Sequence, residues 1–278
     1  MEQLKREISL IQQVARDDNQ VINAWARIVD QIADHILMRD PKAFLTWDPV
    51  CRVMFLRGMA DHIMPKMNYL RRRSDWPMWR RAIQEDEVGQ PATFREYAGS
   101  SGTRILHAYH LAKLEETSGI RLWEMPFVFE FGGGYGGMMR LVQKMGFNGR
   151  YIIFDMPVVS ALQRYYLRAL DVPVELYDCC SAVDDLQKEL KSFDPETSVF
   201  LATMSFSESP LGMRQPIVET VRSFGTIFIA YADKFYGIDN ASYFSNLTKD
   251  LNHFEWKQWA MDERPWKMYL LGRRREPA

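Results

Sequence analysis

The sequence predicts an α/β fold in which a mainly parallel sheet, closed by an antiparallel hairpin, follows a helical N-terminal region. From residue 125 onward, apolar runs of strand length alternate with helical patterns. Such alternation with short connections is typical of parallel βαβ units in a doubly wound sheet. The last two strand-like runs, 254–261 and 266–272, are separated by four residues. That linker is too short for a helical crossover, so these two strands must pair antiparallel.

The first part of the chain is expected to be helical. Apolar residues recur there every three or four positions, as on one face of a helix, and Asp40-Pro41 is expected to end that run. A segment rich in Gly, Pro, Thr and Ser at 87–101 predicts a loop, and a helix is expected at 103–116. We therefore divide the chain into a helical cap over residues 1–120 and a ligand-binding α/β domain over residues 121–278.

The α/β domain is expected to contain five parallel strands before the hairpin. The predicted strands lie at 127–131, 150–155, 173–177, 198–204 and 226–232. The predicted helices lie at 136–146, 158–170, 182–192 and 211–223.

Composition excludes several classes of protein. The chain has 278 residues, 47% of them hydrophobic, and a net charge of −1, which provides no general attraction to nucleic acid or to an anionic membrane. Its three cysteines follow neither a disulfide nor a zinc pattern. The charged N-terminal segment lacks the apolar run of a signal peptide, and no window approaches the roughly 20 apolar residues of a membrane span. We expect a soluble, cytoplasmic protein without a membrane partner; the sequence leaves the oligomeric state open, a homo-oligomer included.

A glycine-rich turn follows the first predicted strand, with five glycines in the six positions from 132 to 137. Such glycines allow positive φ angles and let a ligand approach the backbone. Gly132, Gly134 and Gly137 satisfy the GxGxxG pattern of dinucleotide sites, whereas Glu130, Gly132, Gly134 and Gly136 satisfy the ExGxGxG pattern of methyltransferases. The long helical region before this strand and the closing hairpin favour the second. The Glu130 carboxylate also suits a cationic methyl donor and would repel a pyrophosphate.

Two further carboxylates follow the next strands. Asp155 comes nineteen residues after Gly136, at the end of the second predicted strand. A carboxylate there can accept hydrogen bonds from both hydroxyls of a ribose, and both a dinucleotide and the methyl donor contain a ribose. Asp155 could also cap the helix that begins near Pro157. Asp178 follows the third predicted strand, where such folds meet the adenine ring, although Asp178 or Ser181 could equally be a helix N-cap.

In these motifs the sequence resembles the sugar O-methyltransferase family typified by the nanchangmycin-pathway enzyme. The resemblance covers about residues 100 to 235 and depends on the segments 130–137, 151–157, 162–167 and 205–208. It implies a class I methyltransferase fold, S-adenosyl-L-methionine as cofactor, and as acceptor the hydroxyl of a sugar that is free, nucleotide-linked or part of a glycan. The expected cofactor-binding residues are Glu130, Gly132, Gly133, Gly134, Tyr135, Gly136, Asp155, Met156, Asp178, Cys179 and Ser205.

A sugar hydroxyl is a weak acid, so its methylation calls for a general base or a metal. Glu208, delivered by the fourth strand, is our first choice of base, although it could instead cap the following helix. Asp233, at the end of the fifth strand, is the second choice, and His110, which shares a helix face with His107, is the third. No His/Asp/Glu spacing demands a metal, but Asp178, Glu208 and Asp233 together could hold Mg²⁺.

The basic, aromatic segment 70–81 leaves three interpretations open: RNA binding, stacking on the sugar of a nucleotide-sugar, or a surface helix with amphipathic tryptophans. Net charge near zero disfavours nucleic acid as a partner. Two other functions remain open, namely methylation of a phenol or polyketide and a non-catalytic module that binds S-adenosylmethionine.

Overall fold

The computed structural model describes residues 1–11, 20–56, 59–191, 193–261 and 264–275. Among these residues, seven strands form the main sheet: β1 Phe127–Phe131, β2 Arg150–Phe154, β3 Tyr177–Cys180, β4 Ser198–Thr203, β5 Thr226–Ala232, β6 Phe254–Met261 and β7 Arg264–Arg274. Their order across the sheet is β3-β2-β1-β4-β5-β7-β6. Strands β1 to β5 are parallel, and β7 lies antiparallel between β5 and β6. This order is that of the class I methyltransferase fold, so the predicted fold class is confirmed.

Helices cover both faces of the sheet. They are α1 Glu2–Leu10, α2 Gln20–Met38, α3 Asp48–Val53, α4 Ala60–Arg71, α5 Trp76–Ala82, α6 Gly102–Ser118, α7 Gly137–Lys144, α8 Pro157–Ala169, α9 Val183–Leu190, α10 Leu211–Val221 and α11 Asn240–Asp250. Buried residues of α1 to α8 pack on one face, and buried residues of α9 to α11 pack on the other. None of the described helices combines the length and apolar character needed to cross a membrane.

The N-terminal helices pack directly on the sheet. Ile32 of α2, Trp79 of α5 and Ile105 of α6 belong to the same buried cluster as Val128 of β1 and Ile153 of β2. The strand-like pairing among the described residues before β1 is a single bridge between residues 94 and 97, as the helical prediction requires. The first 120 residues therefore share one core with the sheet, on the face that also carries the glycine-rich turn.

The prediction for the third strand is wrong by four residues. Residues 174–176, which read as strand, form a 3-10 turn, and β3 begins at Tyr177. The Arg150 guanidinium fixes this turn by donating to the carbonyls of Val174, Glu175 and Tyr177 at 3.3, 3.1 and 2.9 Å. As a result, Asp178 lies inside the strand, and the loop at the sheet edge begins only after Cys180.

Helix α11 was not predicted, because its sequence is mostly polar and only one face of it is buried. Asp239 caps its N-terminus by accepting a hydrogen bond from the Ser242 backbone N–H at 3.0 Å. A short hairpin, Lys234–Phe235 paired with Ile238–Asp239, joins β5 to α11 and was also missed. Both features lie next to the end of β5, at the same sheet edge as the turn after β4.

Candidate functional site

The glycine-rich turn leaves β1 in a conformation that glycine alone adopts readily. Gly132, Gly134 and Gly136 have φ angles of 69°, 56° and 89°. A Cβ at Gly132 would lie 2.3 Å from the Ser205 Cβ, so this glycine is packed against the turn after β4. A Cβ at Gly134 would meet nothing closer than Met54, at 3.7 Å. Gly134 is therefore the glycine of this pair where a ligand could reach the main chain.

Asp155 is held against the glycine-rich turn by hydrogen bonds at both carboxylate oxygens. Its Oδ1 accepts from the Met156 backbone N–H at 2.8 Å, and its Oδ2 accepts from Gln163 Nε2 at 3.0 Å. The Gly134 backbone also hydrogen-bonds to it. A carboxylate has about four lone-pair sites, so capacity to accept from a ligand remains. Burial raises the pKa of Asp155 to about 7, against the lowering effect of these hydrogen bonds.

Glu130 lies behind the glycine-rich turn. It is 2% exposed, and its Oε2 accepts from the Tyr151 hydroxyl at 3.0 Å. A Cβ at Gly133 would lie 2.8 Å from that same oxygen. Burial raises the pKa of Glu130 to about 8, and the negative charge of Asp155 adds to this effect. Glu130 thus supports the turn from below and contributes a titratable charge to it.

The other expected cofactor-binding residues divide into two groups. Ser205 donates a hydrogen bond to the Phe131 carbonyl at the start of the turn, and Met156 directly precedes α8, so both lie beside the turn. Tyr135 is buried among the rings of core aromatic residues, and Cys179 is buried within β3. Asp178 directs its carboxylate toward Arg150, the first residue of β2, with Oδ2 4.0 Å from Nη2. The structure does not bring the Asp178 and Cys179 side chains to the glycine-rich turn, because β3 starts later than the sequence indicated. Tyr135 belongs to the turn, but its ring points into the core beside Gly137.

Two residues that the sequence reasoning missed hold the turn in place. Gln163 Nε2 donates both to the Gly134 carbonyl at 2.8 Å and to Asp155, which links α8 to the turn. Arg104 of α6 is fully buried and donates to the Tyr166 hydroxyl at 3.1 Å and to the carbonyl of Gly137 at 3.4 Å. A charged residue in an otherwise apolar stretch of α6 was the signal for Arg104. Gln163 lies eight residues after Asp155, within α8, but only the tertiary structure shows that its side chain reaches Asp155 and the turn.

The turn after β4 presents Glu208 from a rigid support. Arg214 Nη2 and Asn240 Nδ2 donate to the Ser207 carbonyl at 2.9 and 3.1 Å, and both side chains are fully buried. Trp25 Nε1 donates to the Glu208 carbonyl at 3.1 Å, which fixes α2 against this turn. Helix α10 has no side-chain cap, so the alternative that Glu208 caps it does not hold. Burial raises the pKa of Glu208 to about 7, and nearby Lys267 opposes this effect.

His110 is buried in α6 and hydrogen-bonds through Nδ1 to the Tyr269 hydroxyl of β7 at 2.7 Å. Burial holds the pKa of His110 well below its ordinary value, with further lowering by His107, Lys267 and other nearby cations. Lys267 therefore lies near both His110 and Glu208. Burial, with a contribution from Arg104, likewise lowers the pKa of His107 to about 3. His110 and His107 are neutral near pH 7.

Asp233 lies at the start of the hairpin after β5. Its backbone N–H donates to the Trp266 carbonyl at 2.9 Å, and its carbonyl accepts from Asn240 N–H at 2.9 Å. Burial and the charge of Asp239 raise the pKa of its carboxyl, and Lys234 opposes them. The charged groups that affect the pKa of Asp233 are thus hairpin residues. Lys267, which affects the pKa values of Glu208 and His110, is not among them.

The possible Mg²⁺ site formed by Asp178, Glu208 and Asp233 is not supported by the structure. Asp178 is on β3 and Asp233 follows β5, four strand spacings away, or about 19 Å at the usual 4.7–4.9 Å per strand. Within the described ranges, His, Cys, Asp and Glu side chains form no group of three that could hold a metal ion. The sheet order therefore separates Asp178 from Asp233, while Glu208 and Asp233 follow neighbouring strands.

The basic, aromatic segment 70–81 packs into the helical core through Leu70 and Trp79, while Arg71, Arg72, Arg80 and Arg81 are exposed. Trp79 is fully buried and packs edge to face on Trp123, with ring centroids 5.5 Å apart. Arg73 lies over the Trp79 ring and pairs with Asp75 and Glu115 at 2.9 and 2.5 Å. These side chains are engaged with one another, so neither stacking of a ligand on Trp79 nor phosphate binding by Arg73 is supported.

Solved structures with a similar fold include several methyltransferases. The precorrin-6y C5,15-methyltransferase of Geobacter metallireducens superposes with a TM-score of 0.44 at 17% identity, over 70% of this chain and 98% of that one. The magnesium protoporphyrin IX methyltransferase of Synechocystis PCC 6803, solved with bound S-adenosylmethionine, gives 0.44 at 13% identity, over 78% and 99%. No protein-family model matches the sequence, and no curated protein matches it. At these TM-scores the fold class rests on the strand order itself.

Proposed function

We propose that this protein is an S-adenosylmethionine-dependent methyltransferase that methylates a hydroxyl group of a sugar. The observation that carries the proposal is the pairing of Gly134 with Asp155 at the carboxyl ends of β1 and β2. There, accessible main chain and a carboxylate with spare lone pairs lie on one side of a class I sheet. Ligands of open α/β sheets bind at this edge.

The residues fit the donor. Asp155 would accept from the ribose hydroxyls, while the main chain around Gly134 would hold the aminoacyl end, with the buried charge of Glu130 beneath it. A cationic ligand favours the ionised forms of both carboxylates, whose pKa values are raised in the free protein. When bound, S-adenosylmethionine supplies a methyl group that is already activated on a sulfonium.

The chain's own residues then have to orient the acceptor and remove its proton. Glu208 is the proposed base, because its side chain is half-buried at the carboxyl end of β4 and its pKa, about 7, suits proton transfer near neutral pH. One of its Oε atoms would take the proton that the acceptor hydroxyl loses on methylation, a reaction in which the donor's sulfur–methyl bond is exchanged for an oxygen–methyl bond and S-adenosylhomocysteine is the leaving group. Arg214, Asn240 and Trp25 fix the turn that carries Glu208, which limits the loss of alignment on binding. His110, buried, neutral and bonded to Tyr269, is proposed as a positioning residue of the same pocket.

The test is methyl transfer itself. The protein is incubated with isotopically labelled S-adenosylmethionine and a panel of sugars, and the products are identified by mass spectrometry. We expect label on a sugar oxygen and stoichiometric S-adenosylhomocysteine. Label on phenols alone would overturn the sugar assignment. Thermal stabilisation by NAD(H) and none by S-adenosylhomocysteine would overturn the assignment of the donor.

A further inference from the structure

Lys267 lies beside the turn that carries Glu208. It is the residue of β7 opposite Ala232, the last residue of β5. The Ala232 backbone N–H donates to Ser207 Oγ at 3.4 Å, and Asn240 Nδ2 donates to the carbonyls of both Ala232 and Ser207, at 2.9 and 3.1 Å. The end of β5 is thus clamped to the residue directly before Glu208, and the strand pairing places Lys267 next to it.

The Lys267 side chain belongs to the face of the sheet that carries α2 and α6. Side chains two positions apart in a strand point to the same face, and Tyr269, two residues after Lys267, bonds to His110 of α6. Helix α2 packs on this face and reaches the Glu208 turn through Trp25. Lys267 and Glu208, both half-buried, therefore border the same part of the sheet edge.

Lys267 is the charged side chain that favours the ionised form of Glu208. Among the described residues, its positive charge is the one that lowers the pKa of Glu208, against the raising effect of burial. It also lowers the pKa of His110, so its field extends from the turn to α6. The other basic groups that act on His110 come from α4 and α6: His62, Lys66 and His107. An ammonium and a carboxylate stabilise each other's charged forms, and more strongly where burial excludes water.

Charged groups on the other elements around the turn are engaged elsewhere. Arg214 of α10 donates to main-chain carbonyls of the turn and to the Asn240 side chain. The charged residues of the following hairpin act on one another: Asp233, Lys234 and Asp239. In the part of the chain that the structure describes, Lys267 therefore supplies the counter-charge of Glu208.

We propose that Lys267 is a positioning residue of the methyl-transfer site, which keeps Glu208 ionised and draws its carboxylate toward the acceptor hydroxyl. This inference rests on the proposed function and extends it from the base to the group that makes the base available near neutral pH. Burial alone favours the protonated carboxyl, which cannot accept the hydroxyl proton. The proton still passes from the acceptor hydroxyl to Glu208, and Lys267 keeps its own protons throughout.

The experiment compares wild type with Lys267→Met, Lys267→Arg and the matched control Lys257→Met, which removes an exposed lysine from the neighbouring strand β6. Titration of Glu208 is followed by NMR of protein that carries an isotope label at the glutamate carboxyl carbon, and its signal is the one missing from Glu208→Gln. We expect Lys267→Met to raise the midpoint of this titration by at least about 0.5 pH unit. Lys267→Arg, which keeps the positive charge, and Lys257→Met should both titrate like wild type. Lys267→Gln replaces Lys267→Met if the latter does not fold.

Turnover of the sugar that wild type methylates gives the second readout. At about pH 6, Lys267→Met should lower kcat about threefold or more, whereas at about pH 9, where Glu208 is ionised in both proteins, kcat should match wild type. An unchanged Glu208 midpoint in Lys267→Met, an equal shift in Lys257→Met, or a loss of kcat that is the same at every pH would overturn the inference and leave the proposed function standing. Absence of S-adenosylhomocysteine binding in wild type, or of methyl transfer to any sugar, would instead contradict the proposed function.

Discussion

Replacing Asp155 with Asn is expected to weaken binding of the donor by one to two orders of magnitude. The wild-type carboxylate has about four lone-pair sites and already accepts from Met156 N–H, Gln163 Nε2 and the Gly134 backbone, so about one site remains for a ribose hydroxyl. An amide at this position carries no charge and has only one acceptor oxygen, so one side of the ligand's diol loses its partner. A hydrogen bond to a charged group contributes about 1.5–3 kcal/mol, and every 1.4 kcal/mol is about tenfold in affinity.

The pH dependence gives a second signature of the same residue. Because burial raises the pKa of Asp155 to about 7, the carboxyl is largely protonated in the free protein at lower pH. Donor binding favours the ionised forms of Asp155 and Glu130, so affinity should rise with pH through about 7 and level off only above about 8. Below about 7, the protonation of Asp155 alone should lower affinity about tenfold for each pH unit. Asp155→Asn should remove the part of this pH dependence of donor affinity that is due to ionisation of Asp155.

Calorimetry with S-adenosylhomocysteine from about pH 6 to about pH 8 measures both effects. Asp178→Asn is the matched control, because that carboxylate lies on the next strand and points toward Arg150, away from the glycine-rich turn. We expect it to bind like wild type. A dissociation constant for Asp155→Asn within threefold of wild type at the higher pH, or an equal loss in Asp178→Asn, would contradict a role for the Asp155 carboxylate in donor binding.

Three further predictions concern the turn, the base and the buried arginine. Gly134→Leu should abolish donor binding, whereas Gly119→Leu, which places the same side chain at another positive-φ glycine, should not. Each substitution should lower the free energy of unfolding in urea by about 1–2 kcal/mol. Glu208→Gln should retain donor affinity and lower turnover by a factor of about 10²–10⁴. It should also remove the rise of kcat through about pH 7 that deprotonation of this base produces in wild type. Full activity of the variant would exclude Glu208 as the base. Arg104→Met should lower the free energy of unfolding by about 3–5 kcal/mol, because it leaves the Glu85 carboxylate, 3.0 Å away, buried without its partner; a loss below about 1 kcal/mol would contradict this role.

Features set by local sequence were predictable. The strand β1, the glycine-rich turn and the start of α7 are encoded by adjacent residues, because glycines fix the turn and apolar runs fix its flanks. The third strand was misplaced because the apolar, β-favouring residues near Val174 resemble a strand, whereas the Arg150 guanidinium fixes them as a turn. Such a distant hydrogen bond leaves no local pattern.

The candidate site could be predicted only in part, because contacts between residues distant in the sequence leave no local pattern. Asp155 and Glu208 follow strands, so their place at the sheet edge was predictable from the alternation of strands and helices. The bond between His110 and Tyr269 joins residues 159 positions apart, and that between Trp25 and Glu208 joins residues 183 apart. Contacts of this kind join the N-terminal helices to the sheet edge where we propose that the acceptor binds. They depend on how the N-terminal helices pack on the sheet, which the periodicity of each helix does not specify.

We propose that the main chain at Gly134 and the Asp155 carboxylate together hold S-adenosylmethionine. A crystal structure of the protein with saturating S-adenosylhomocysteine should show the ribose hydroxyls at Asp155 and the aminoacyl end along residues 132–136. Density for the ligand elsewhere, or side chains such as Met54 filling the space over Gly134 in the presence of the ligand, would contradict it.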